Sequence, residues 1–110
     1  MANQKQMNQM MRQMQKMQAD MAAAQEALAV ETVEATAGGG AIMVTMTGAG
    51  ELQAIKIDPS VVDPDDVEML EDLVVAAVAE GLRKSQELQS QRMGAVTGGL
   101  DLGSLGGLLG

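Results

Sequence analysis

Four groups of residues in this 110-residue chain carry side chains that could do chemistry. Asp63, Asp65, Asp66, Glu68, Glu71 and Asp72 form an acidic run dense enough to suggest a cation site or a general acid–base pair. Met7 with Met10, and Met14 with Met17, are Met-x-x-Met pairs whose soft thioethers suit Cu(I). Gly38-Gly39-Gly40 has the composition of a loop that cradles phosphate, and Lys5, Arg12 and Lys16 are cations that could contact phosphate directly.

The first three groups have simpler explanations. The acidic run follows Asp63-Pro64, which reads as an N-cap with proline at the first helical position, so its carboxylates meet the positive end of a helix dipole. It also lacks the glycine and terminal glutamate of a Ca²⁺ loop. The methionine pairs have no Cys or His to assist them, since the chain contains neither residue, and an apolar helix seam explains the same spacing. The three glycines lack a following Lys-Ser/Thr and helix start, so a hairpin turn is the better reading. Without Cys or His the chain has no thiol nucleophile, no disulfide framework and no imidazole base, which argues against an enzyme and implies no cofactor.

The cations are different. At 100° per residue Lys5, Arg12 and Lys16 fall within about 60° of one another on a helix, away from the methionines. No acidic residue precedes Asp20, so this segment is locally positive in a chain whose formal net charge is -8. An ordinary solvated helix face is the competing reading. Arg83, Lys84 and Arg92 form a second basic group, but Glu80 and Glu87 stand four residues from Lys84 and Arg83 and can neutralise them, which leaves Arg92 as the least compensated cation.

The elements that must position these groups follow from periodicity. From Asn3 to about Ala29 there is no Gly or Pro, and Met7, Met10, Met14, Met17, Met21, Ala24 and Leu28 recur in three-four steps. That spacing predicts a helix with a narrow seam, facing either the domain's own core or a second subunit. From Val30, enrichment in Val and Thr predicts a strand to Ala37. Strands over Ile42–Thr47 and Glu51–Asp58 follow, joined by the glycine turns at 38–40 and 48–50, and Ile55 and Ile57 share one face of the third. A second helix is expected from Pro64 to about Arg92, with Gly81 marking close approach at a helix crossing, and a glycine- and leucine-rich tail over 94–110 is expected to be mobile. The class is α+β, in the order α-β-β-β-α, with one domain over residues 1–93: a first helix to 29, a meander over 30–58 and a second helix over 64–92. Phe, Tyr and Trp are absent, and a domain of this length buries only about two-thirds of its unfolded surface, so a partner subunit would help to complete the core. No apolar run is long enough to span a bilayer and the start of the chain lacks a signal-peptide core, so a cytoplasmic location is expected.

Ile55-Lys56-Ile57-Asp58-Pro59, followed by Asp63-Pro64-Asp65-Asp66-Val67-Glu68-Met69-Leu70-Glu71-Asp72-Leu73, resembles the YbaB/EbfC family of bacterial nucleoid-associated proteins. The resemblance extends upstream through the Gly38–Gly40 hairpin and the Met/Gln-rich first helix, and downstream to Met93-Gly94 and Thr97-Gly98-Gly99. It implies a tweezer-like homodimer with projecting first helices that binds double-stranded DNA without catalysis and with little sequence specificity, in the cytoplasm at the nucleoid. The family motif marks no individual DNA contacts. Charge placement nominates Lys5, Arg12, Lys16 and Arg92, and the seam Met7, Met10, Met14, Met17 and Met21 is assigned to the dimer or a protein partner. The alternative is an adaptor whose Met-rich helix or Gly/Leu tail holds an apolar partner.

Overall fold

The computed structural model describes residues 3–97. Helix α1 (Gln4–Val30) leads into an antiparallel sheet of β1 (Thr32–Ala37), β2 (Ile42–Thr47) and β3 (Leu52–Ile57), then a 3₁₀ turn at Pro59–Val61 and helix α2 (Val67–Thr97). The sheet is a meander in the order β1-β2-β3, which gives the expected α-β-β-β-α fold.

Local chemistry explains each boundary. Asn3 caps α1, its side-chain oxygen accepting the Gln6 N–H at 2.8 Å, and the helix ends where Glu31 donates its N–H to Ala27 O before the β-branched Thr32-Val33. Gly38, Gly39 and Gly40 all hold positive φ, which a side chain would strain, so the first hairpin requires this triplet. In the second turn only Gly50 is left-handed; Gly48 is needed for space, as described below.

α2 opens at Val67 rather than at Pro64. Asp63 accepts the Asp65 N–H at 2.9 Å and its carbonyl accepts the Asp66 N–H, so residues 63–66 close a turn of their own. Asp66 then takes the capping role expected of Asp63, accepting the Met69 N–H at 3.2 Å. Two aspartates three residues apart can both cap, and the one beyond the closed turn does so. At the other end α2 continues five residues past Arg92, through Gly94, because Met93 and Val96 are half-buried there. The remainder of the expected tail, residues 98–110, lies outside the described residues.

The core is thin. Ala35, Ile42, Val44 and Ala77 are buried, with Leu70, Leu73, Val74 and Val78 of α2 packed around them. Gly81 sits over the sheet, where a Cβ would lie 3.1 Å from Val44 Cγ2 and 3.3 Å from Met46 Cε. Its close neighbours are therefore strand side chains, not a crossing helix. α2 covers β1 and β2 but leaves every residue of β3 exposed.

Candidate nucleic-acid interface

Lys5, Arg12 and Lys16 occupy the first four turns of α1, and every residue from Gln4 to Lys16 is exposed. At 1.5 Å per residue that is about 20 Å of helix without cover. None of the three cations pairs with a carboxylate among the described residues, and the nearest acidic residue in sequence is Asp20. They form a positive ridge on one side of a projecting rod.

The other side is apolar. Met7, Met10 and Met14 are 55, 61 and 63 % exposed, Met21 is exposed and Met17 half-buried. The domain's own core is thus excluded as the destination of Met7, Met10 and Met14. Lower on the same seam, Ala24 and Leu28 are buried. There Leu28 lies against α2 and the second turn, and Gln25, Leu28, Ala49, Gln89 and Met93 line a cavity of about 390 Å³.

Polar contacts lock the base of the rod to the body. Ala49 donates its N–H to Leu28 O at 3.1 Å and Gly48 to Glu31 O at 2.8 Å. The buried Ser85 hydroxyl lies 3.0 Å from both Thr47 O and Gly48 O, and Gln89 Nε2 donates to Gly48 O at 2.7 Å. Arg92 completes the joint with a two-pronged ion pair to Glu31, its Nε 3.0 Å from Oε2. The expectation that Arg92 is the least compensated cation therefore fails: Glu31, sixty-one residues away, neutralises it once α1 and α2 meet.

The rest of the second basic group is also occupied. Arg83 pairs with both Glu80 and Glu87, at 2.6 and 3.1 Å. Those hydrogen bonds push the guanidinium pKa up and hold the Glu80 carboxyl below the usual carboxylate value. Lys84 does not take Glu80 as its partner; its Nζ donates to Glu34 O of β1 at 2.8 Å. In the acidic run Asp63 and Asp66 each accept a backbone N–H through one side-chain oxygen, which is helix-start chemistry.

A second uncovered surface lies opposite the joint. The register pairs Ile55 with Val44, Ile57 with Ile42 and Leu52 with Met46, so these β3 side chains share the face on which α2 lies. α2 stops short of them, and its Val75 and Leu82 are exposed too. Together with the unpaired edge of β3 they make an apolar notch. Leu82 stands at helical spacing from Val78 of the packed stripe yet is exposed, and Val75, apolar but off that stripe, is the sequence signal for the notch.

Residues 3–100 match the YbaB/EbfC DNA-binding family. The chain belongs to this family. Among its relatives, the protein of Moorella thermoacetica is 57% identical over 96 residues, covering 87% of this chain and 92% of the relative. That of Alkaliphilus metalliredigens is 54% identical over 99 residues, covering 90% and 87% respectively. That of Pelotomaculum thermopropionicum is 52% identical over 99 residues, covering 90% and 94%. All three are named nucleoid-associated proteins. The fold also matches the crystal structure of the uncharacterized protein HP0035 from Helicobacter pylori, with a TM-score of 0.65 at 21% identity, covering 83% of this chain and 92% of that one. Among the described residues no helix is long and apolar enough to cross a membrane.

Proposed function

We propose that this protein is a non-catalytic, nucleoid-associated protein of the bacterial cytoplasm that binds duplex DNA as a homodimer with little sequence specificity and so influences nucleoid organisation and gene expression. The observation that carries this reading is the exposed, unneutralised ridge of Lys5, Arg12 and Lys16 on the projecting part of α1, in a chain of the YbaB/EbfC DNA-binding family. Arg83 and Arg92 are engaged with carboxylates and Lys84 donates to a backbone carbonyl, so apart from Lys56 on β3 the cations open to phosphate among the described residues are the three on the arm. Two arms present six such charges, while the acidic body faces away from the duplex. Arg92, committed to Glu31, holds the arm in place instead of contacting DNA. The absence of aromatic residues argues against stacking on unpaired bases.

Dimerisation rests on the notch. Leu52, Ile55 and Ile57 beside Val75 and Leu82 form an apolar patch against an open strand edge, a surface that a second copy of the chain would cover. A second reading, an adaptor that grips an apolar partner helix, is favoured by one observation: the exposed Met7, Met10 and Met14 stripe.

The deciding experiment is a fluorescence-anisotropy titration of a labelled duplex at several salt concentrations, with wild type beside the Lys5→Glu, Arg12→Glu, Lys16→Glu triple variant. Release of three to six counterions predicts a slope of log K against log salt of about -3 to -5, and the variant should lose binding. Absence of binding at low salt, or an unchanged variant, rejects the DNA reading. Met14→Glu with Met17→Glu should impair an adaptor's partner binding or the dimer first.

A further inference from the structure

The three arginines of this chain, Arg12, Arg83 and Arg92, divide sharply. Arg83 and Arg92 present their guanidinium forks to Glu80, Glu87 and Glu31. Of the three, Arg12 alone has no carboxylate partner among the described residues, and it stands exposed in the uncovered part of α1, seven residues after Lys5 and four before Lys16.

A guanidinium and an ammonium carry the same charge but do different work. The planar fork of arginine matches the O6 and N7 acceptors of guanine in the major groove with two parallel hydrogen bonds, whereas lysine acts as a point charge. The groove, about 12 Å wide, admits a helix of about 10–12 Å diameter. The uncovered length of α1, about 20 Å, exceeds the groove's depth of about 8.5 Å. On that helix Asn8 lies about 40° to one side of Arg12 and Gln9 about 60° to the other, and both are exposed. With Arg12 aimed at the groove floor, these amides face the walls and can donate to phosphate, as can the long, flexible Lys5 and Lys16 side chains.

Resting on the duplex-binding reading above, the geometry points to Arg12 as a base-reading residue that selects guanine in the major groove, with Lys5 and Lys16 supplying sequence-independent phosphate contacts. One base contact per arm biases binding toward guanine-containing sites without defining a long motif, in keeping with little overall specificity.

The test uses the full chain and two labelled duplexes of identical sequence, one containing guanine and the other 7-deazaguanine, which pairs normally but lacks the N7 acceptor. Wild type should bind the unmodified duplex more tightly, by several-fold to about a hundredfold. Arg12→Lys, which keeps the charge and loses the fork, should bind both alike. Equal binding of the two duplexes by wild type, or a preference that survives in Arg12→Lys, overturns the inference. Failure of wild type to bind either duplex at low salt rejects the duplex-binding reading, and this inference with it.

Discussion

Gly48→Ala tests how tightly the joint between arm and body is packed. The backbone at Gly48 is not left-handed, so alanine meets no conformational barrier and any effect must come from space. An added Cβ would lie 2.7 Å from Leu28 Cδ2, 3.0 Å from Leu28 O and 3.1 Å from Leu88 Cδ2, against normal carbon contacts of about 3.5–4.0 Å. Leu28 cannot simply turn aside: it is buried, and its carbonyl is held by the Ala49 N–H. Relief therefore requires the base of α1 to move away from the turn and from α2, and overpacking of this kind costs about 1–3 kcal/mol. In a domain of this size that lowers Tm by about 5–20 °C. Far-ultraviolet circular dichroism is the suitable probe, because the chain has no aromatic residue to report by fluorescence. Gly94→Ala is the matched control: its Cβ would meet nothing within 4 Å and it lies within α2, so the same change should stabilise by up to about 1 kcal/mol. A Gly48→Ala Tm within about 1 °C of wild type, or equal losses in both variants, would refute the packing argument.

Ser85→Ala removes a buried hydroxyl shared by two carbonyls, but Thr47 O keeps the Gly50 N–H and Gly48 O keeps Gln89, so urea titration should show a loss near 1 kcal/mol rather than the larger penalty of orphaned groups. Leu82→Glu or Ile55→Glu, each placing a charge in the notch, should give a folded monomer by light scattering coupled to size exclusion; an unchanged dimer would move the interface elsewhere. On acidification, Asp58 and Glu80 should contribute a pH-dependent increment. The Ser60 backbone N–H holds Asp58 below its ordinary pKa and the Arg83 hydrogen bond does the same for Glu80, so the unfolded chain takes up these protons first. Their stabilisation is complete above the ordinary carboxylate range, about 4, and is lost as pH falls through the lower folded values. The Tm gap between wild type and Asp58→Ala, Glu80→Gln should narrow as pH falls below about 4, and a gap that widens contradicts the assignment.

Much of the fold is written in short-range signals. The uninterrupted run from Asn3 to Ala29 specifies one helix, the Gly38–Gly40 triplet specifies a turn because only glycine tolerates three consecutive left-handed residues, and alternation at Ile42, Val44 and Met46 specifies a strand with one buried face. The arm cations were legible for a similar reason: three positive residues on one side of a helix with no acid before Asp20 need no partner to be recognised.

What escaped the sequence depends on segments distant in the chain. Whether Asp63 or Asp66 caps α2 turns on which of two competing turns closes first. Arg92 looked free because its partner is Glu31, which no helical spacing can reveal. Leu82 carried the spacing of a core residue and Ile55 that of a buried strand face, yet both are exposed because α2 crosses only two of the three strands. Backbone preference is set by neighbours along the chain, so the sequence alone determined the elements, their order and the charged ridge. Burial and ion pairing are set by what arrives from elsewhere, so only the tertiary structure decided that the upper methionine seam stays uncovered, that Arg92 belongs to the joint, and that Arg12 is the arginine left open.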